Sequence, residues 1–118
     1  MPSKVLITLH GNDVAPRFDQ TIEVFIASIK SDGTVGEEKT MVLPQASAEK
    51  LCRMIITEDV QAVICGGIEE EYYEYLRWKR IEVVDSVIGP FRRVLEAFAR
   101  GGLQPGTIFR EPTTDRSR

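Results

Sequence analysis

The sequence predicts an α/β domain of three layers: a mixed five-stranded sheet with three helices. Three observations carry this expectation. Residues 4 to 43 read as three strands in succession, joined by short turns. The rest of the chain alternates helix and strand, which demands right-handed crossovers and parallel pairing. With 118 residues, 42% of them hydrophobic, the chain can bury one real core and has no room for a second domain. The domain is therefore expected over residues 1–109, followed by a polar tail over 110–118.

Lys4 to Leu9 is short, apolar and rich in β-branched residues, as in a buried strand. His10 to Arg17 is a loop punctuated by Gly11, Asn12 and Pro16. Thr21 to Ile29 is a second strand, apolar enough to be covered on both faces. Asp32-Gly33 marks a turn into a third strand, Val35 to Leu43, whose Glu37, Glu38 and Lys39 suit a charged edge. After Pro44 the apolar period becomes helical. Ser47 can cap a helix whose stripe is Ala48, Leu51, Cys52, Ile55 and Ile56. Gln61 to Cys65 is a fourth strand, ended by Gly66-Gly67. A second helix runs from about Ile68 to Lys79, with Tyr72, Tyr75, Leu76 and Lys79 on one side and Glu69, Glu70 and Glu71 in the first turn, where carboxylates suit the helix dipole. Ile81 to Asp85 is the fifth strand. Pro90 opens a third helix with Phe91, Val94, Leu95 and Phe98 as its buried stripe, and Gly101-Gly102 ends it.

Composition excludes several functions. With a net charge of −3 the chain is a poor general nucleic-acid binder, because phosphate contacts need clustered Lys and Arg, so no nucleic-acid partner is expected. No apolar run is long enough to span a membrane, and the first residues lack the apolar stretch of a signal peptide, so the expected location is the cytoplasm. The two cysteines, Cys52 and Cys65, form no Cys-x-x-Cys pair, which removes zinc-ribbon and thioredoxin readings. Gly-x-Ser-x-Gly, P-loop and Gly-x-Gly-x-x-Gly motifs are absent, and no catalytic constellation is expected.

Ligands of open α/β sheets favour the carboxyl ends of strands where strand order reverses. If the first and fourth strands are neighbours, that crevice collects His10-Gly11-Asn12-Asp13 and Cys65-Gly66-Gly67-Ile68, so the single histidine and one of two cysteines meet there. Each residue also has a plainer reading. Cys65 follows Ala62-Val63-Ile64 and can be a core thiol. His10 can bond a neighbouring backbone group. Gly66-Gly67 before a helix can cradle an anion, or Glu69 to Glu71 can simply be solvated. Arg17-Phe18 can hold an anionic ligand, or Phe18 can plug the sheet end while Arg17 pairs with an acid. Asp85 can serve the turn around Ser86. Cys52 lies in a helical stripe and reads as core. Tyr72, Tyr73, Tyr75 and Trp78 read as core packing or a partner surface.

At these loops the chain resembles the dinitrogenase iron–molybdenum cofactor-binding family. The stretch Gly11 to Asp19, with Pro16-Arg17-Phe18, is similar to the family's loop, and Ala62 to Ile68 is similar to its strand ending in glycine. Ile81 to Asp85 and Phe91 to Phe98 are similar to its last strand and helix. Members, of the NifX type and the C-terminal part of NifB, have a ribonuclease H-like fold, which implies strand order 3-2-1-4-5. They bind or carry iron–molybdenum cofactor or its iron–sulfur precursors, and related proteins hold other molybdenum-containing sulfide clusters. The resemblance implies a cytoplasmic accessory protein carrying a molybdenum- or iron-containing sulfide cluster, with cluster donor or acceptor proteins as partners, as a monomer or weak homo-oligomer. It implies that His10, Gly11, Asn12, Arg17, Phe18, Cys65, Gly66 and Gly67 line the site, with His10 and Cys65 as metal ligands by position. Members also occur outside nitrogen fixation. A nuclease is not implied: two-metal chemistry needs carboxylates, and the first strand carries no acid. Two alternatives stand beside the carrier: a metal-free interaction or regulatory module using the Tyr72–Trp78 helix, and a small Cys65-dependent enzyme.

Overall fold

The structure is a computed structural model and describes residues 3–109. The polar tail expected over 110–118 lies outside the described residues. The chain starts with β1 (Ser3–His10), whose Val5 to Leu9 are all buried. It turns at once into β2 (Asp13–Val14), which pairs antiparallel with β1 through Leu9–Val14 and His10–Asp13. The two-residue turn between them has Gly11 at φ 65°, a conformation glycine adopts at no cost, at the first turn position where such hairpins favour it. A short 3-10 turn at Phe18–Gln20 leads to β3 (Glu23–Ile29) and β4 (Val35–Val42). Then α1 (Ala48–Thr57), β5 (Ala62–Ile64), α2 (Glu70–Trp78), β6 (Glu82–Val84) and α3 (Phe91–Ala99) alternate.

The main path of the sheet is β4-β3-β1-β5-β6. It is antiparallel on the β3 and β4 side and parallel from β1 through β5 to β6. This is the expected mixed α/β class and order of five strands. The correction is a sixth strand, β2, inside the segment read as a loop. The Gly11-Asn12 pair is itself a hairpin signal.

Alternation along the strands divides the core into two layers. Leu6, Val24, Ile26, Val63 and Val83 face α1 and α2, joined by Leu51, Ile55 and Leu76. Val5, Ile7, Phe25, Ala27, Ile64 and Val84 face α3, joined by Val94 and Leu95. Each fully buried Leu or Ile contributes about 1.5–3 kcal/mol relative to exposure. Ser47 caps α1 as expected, its hydroxyl accepting the Lys50 N–H at 3.1 Å. The stripe of α2 differs from expectation. Leu76 is buried and Tyr72 and Tyr73 pack against the core, whereas Tyr75 and Lys79 face solvent. Ile56 of α1 is likewise exposed. Apolar periodicity places a residue on a helix face; only the neighbouring helix decides how much of that face is covered.

Candidate functional site at the strand ends

The loop after β1 and the segment after β5 do meet. From β2 the chain runs on as Ala15-Pro16-Arg17 across the carboxyl ends of the parallel strands. The Ala15 N–H donates to the Thr8 carbonyl at 2.8 Å, the Gly67 N–H to the Pro16 carbonyl at 2.8 Å, and the Phe18 N–H to the Gly67 carbonyl at 2.8 Å. Arg17 and Gly67 form a parallel bridge. On the other side the Ser86 N–H donates to the Gly66 carbonyl at 2.9 Å and the Val87 N–H to that of Cys65 at 3.1 Å. The hairpin also reaches α3, since the Phe91 N–H donates to the Asn12 carbonyl at 2.9 Å and the Val14 N–H to that of Gly89 at 3.0 Å. Three strand-end segments are thus laced into one platform.

This lacing explains the glycines. A Cβ on Gly66 would overlap the carbonyl oxygen of Ala15 and lie 2.5 Å from that of Pro16, so only glycine permits the approach. The Gly67 N–H is spent on Pro16. The pair therefore fastens the loop, and the anion-cradle expectation is corrected for that amide.

The expected residues divide into two groups. His10, Gly11, Asn12, Arg17 and Gly67 are exposed. His10 lines a cleft of about 330 Å³ with Asp13, Pro16, Ile88, Pro90 and Phe109. Arg17 lines a second cleft of about 240 Å³ with Asp19, Gly67, Ile68 and Glu69. Consecutive residues, Pro16 and Arg17, thus belong one to each cleft. Arg17 forks onto Asp19, Nε to Oδ1 at 3.0 Å and Nη2 to Oδ2 at 2.9 Å. That pairing holds the Asp19 carboxyl below its ordinary range and raises Arg17 further.

Phe18, Cys65 and Gly66 are buried. Phe18 is 1% exposed, stacks on Tyr72 at 6.3 Å between ring centroids, and plugs the sheet end. Cys65 is 0% exposed in the layer under α1 and α2. Burial, helped by the nearby Asp85 charge, pushes its thiol up to about 12. A metal ligand or nucleophile needs the opposite shift. In this structure Cys65 is a core thiol, and the expectation that it shares an open crevice with His10 is corrected: Cys65 is buried in the layer under α1 and α2, whereas His10 is exposed. Cys52 is also buried, its thiol raised to about 11. Asp85 keeps to its turn, accepting from the Ser86 hydroxyl at 3.4 Å.

One buried polar group escaped sequence reading. Thr8 is 0% exposed, and its Oγ1 has no hydrogen-bond partner among the described residues. Such a group costs roughly 1–3 kcal/mol. The ladder that pairs Ile7 with Ile64 leads one step on to Thr8 and Cys65, on the face shared with Leu6. Within a run of β-branched strand residues a threonine carries no signal of its own. Among the described residues no group of three or more His, Cys, Asp or Glu side chains gathers to hold a metal ion. No described helix is long and apolar enough to cross a membrane.

Fold and platform together define a mixed α/β protein with an exposed histidine, an exposed arginine and a glycine-fastened loop at its strand ends. The model of the dinitrogenase iron-molybdenum cofactor family matches residues 3–101, and the chain belongs to that family. Three solved structures share the fold. PH0822 superposes with a TM-score of 0.79 at 23% identity, covering 86% of this chain and 93% of that one. The protein mj0327 of Methanocaldococcus jannaschii, provisionally described as a dinitrogenase, gives 0.72 at 25% identity, over 88% and 94%. TM1290 of Thermotoga, provisionally described as a NifB protein of the DUF35 family, gives 0.65 at 17% identity, over 94% and 99%. No match was found among curated proteins.

Proposed function

We propose that this chain is an accessory protein that takes up a molybdenum- and/or iron-containing sulfide cluster as cargo and passes it between donor and acceptor proteins. The observation that carries the reading is the family match across residues 3–101, which spans the whole platform. A sulfide cluster is large, anionic and soft. The imidazole of His10 is a suitable ligand on the exposed side of the loop, and the guanidinium of Arg17, released from Asp19, offsets negative charge. Gly11, Asn12 and Gly67 let the cargo approach the backbone. The sparse donor set suits reversible transfer better than permanent residence, because each ligand must later be given up. Cys65 joins only if the Phe18 plug opens, in which case its sulfur and the Thr8 hydroxyl become reachable together. The role is binding and not catalysis.

The test is anaerobic mixing of purified protein with tetrathiomolybdate or an iron–sulfur precursor, read as visible absorbance retained after desalting. The expected result is stoichiometric retention, weakened about tenfold or more by His10→Ala and less by Arg17→Ala. Retention that both variants leave intact would remove the platform from the account. The effect of Cys65→Ala tells whether the plug opens.

A second reading is favoured by one observation: Trp78 is 75% and Tyr75 40% exposed on α2. A metal-free interaction module would use that face, and then no cluster is retained by any variant.

A further inference from the structure

A third cleft among the described residues lies on the side of α1 and α2. It is a groove of about 590 Å³ between α1 and α2, with Cys52, Ile56, Tyr72 and Tyr75 in its lining and Glu49 and Glu71 as its acids. Among the described residues Arg53 is the one cation that lines it. The negative charge of the groove is felt by its walls. Burial, with Glu71 and Glu49 adding to it, raises the Tyr72 hydroxyl, and burial with Glu49 raises the Cys52 thiol.

Beside this groove, at the end of α2, stands the sequence Arg77-Trp78-Lys79-Arg80. Trp78 is the chain's single tryptophan and its side chain is left largely in water. The Lys79 ammonium lies 5.0 Å from its ring centre and 5.8 Å from that of Tyr75. An exposed aromatic with a cation over its ring therefore neighbours an aromatic-walled groove edged by carboxylates. The helix itself is polarised, with Glu70 and Glu71 in its first turn and Arg77 in its last.

We infer that this face is the interface of a two-fold dimer in which Trp78 of each copy seats in the α1/α2 groove of the other. A two-fold interface brings one patch against itself, so a patch holding both a knob and its matching hole is used twice. Antiparallel crossing of two α2 helices about Tyr75 brings the acidic turn of one copy beside the basic turn of the other, with Glu71 next to Lys79. Trp78 then reaches the wall around Tyr72. Large aromatics in desolvated pockets carry most of the energy of such contacts, and the charges set orientation. This inference is argued from α1 and α2 alone and does not depend on cluster uptake.

Sedimentation equilibrium of the full chain from about 10 μM to about 1 mM, with tryptophan emission recorded over the same range, tests it. The expected result is a mass rising from monomer to dimer while the emission of Trp78 moves to the blue. Trp78→Ala weakens association about tenfold or more, with an unchanged circular dichroism spectrum because the residue is exposed. Glu71→Lys weakens it several-fold, and the double variant Glu71→Lys, Lys79→Glu restores it. A chain that stays monomeric at about 1 mM with red-shifted emission overturns the inference and leaves the face to a different protein. A dimer that Trp78→Ala leaves unchanged overturns it as well. A double variant that associates no better than Glu71→Lys alone overturns the antiparallel pairing.

Discussion

Replacing Gly66 with alanine tests the lacing of the platform directly. The added Cβ would overlap the Ala15 carbonyl oxygen and lie 2.5 Å from the Pro16 oxygen and 2.7 Å from the Pro16 carbonyl carbon. All three atoms are backbone, so no flexible side chain can step aside. Either the loop lifts or the segment after β5 shifts. Overpacking of this kind costs roughly 1–3 kcal/mol. Lifting the loop also loosens the Gly67–Pro16 and Phe18–Gly67 hydrogen bonds, both 2.8 Å, at about 0.5–1.5 kcal/mol each. Because a lifted loop relieves part of the clash, the terms overlap, and a total of about 2–4 kcal/mol is expected. In a domain of this size that lowers Tm by roughly 10–20 °C. Gly67→Ala is the internal comparison. Its Cβ meets only the Pro16 oxygen, at 3.5 Å, an ordinary contact, so the cost should stay below about 1 kcal/mol. Thermal and urea denaturation followed by circular dichroism measures both. Equal stability of the two variants, or a loss under about 1 kcal/mol for Gly66→Ala, would refute the argument that the loop is fastened at this glycine.

The remaining expectations concern the thiols and one ion pair. With both thiols buried and raised, to about 12 for Cys65 and about 11 for Cys52, native protein should react with iodoacetamide far more slowly than unfolded protein. Cys65 should be the slower of the two; labelling at the free-thiol rate in the folded state would contradict its burial. Glu38 on β4 forks onto Arg92 of α3 at 2.9 and 3.0 Å, which holds its carboxyl below the ordinary range. Because the folded pKa is lowered, the stabilisation is present above the unfolded value of about 4.3 and is lost as pH falls through the folded value. The pair is largely in water, so Glu38→Gln should cost less than about 1 kcal/mol at pH 7 and nothing once pH is below the folded value. A pH series of urea midpoints for both proteins checks the sign.

The exposed histidine and buried cysteine also bear on the carrier role proposed above. On that proposal, the buried Cys65 thiol is shielded from oxidation and adventitious metals in the folded state. The Thr8 hydroxyl, without a hydrogen-bond partner among the described residues, marks a buried place that is not fully satisfied. Amide exchange at Phe18 and Gly67 faster than in β1 or β3 is the signature of the plug opening.

Local rules in the sequence determined the class, element order and most of the core. Continuous apolar runs gave strands covered on both faces, helical spacing gave α1 and α3, and Ser47 and Pro90 located their starts. These are properties of residues a few positions apart, so a single chain displays them. The tertiary structure alone decided what the strand-end residues became. Cys65 and His10 both stand at strand ends, yet one faces the closed layer beneath Phe18 and the other faces water. That difference depends on where Ala15-Pro16-Arg17 crosses the sheet, which is set by hydrogen bonds to Thr8 and Gly67 many residues apart. Likewise Tyr72 and Tyr75 share an apolar spacing on α2 and line one groove, but only Tyr72 packs against the core and stacks on Phe18, while Tyr75 is left exposed. Periodicity specifies direction around an element; burial is a property of what arrives from elsewhere in the chain.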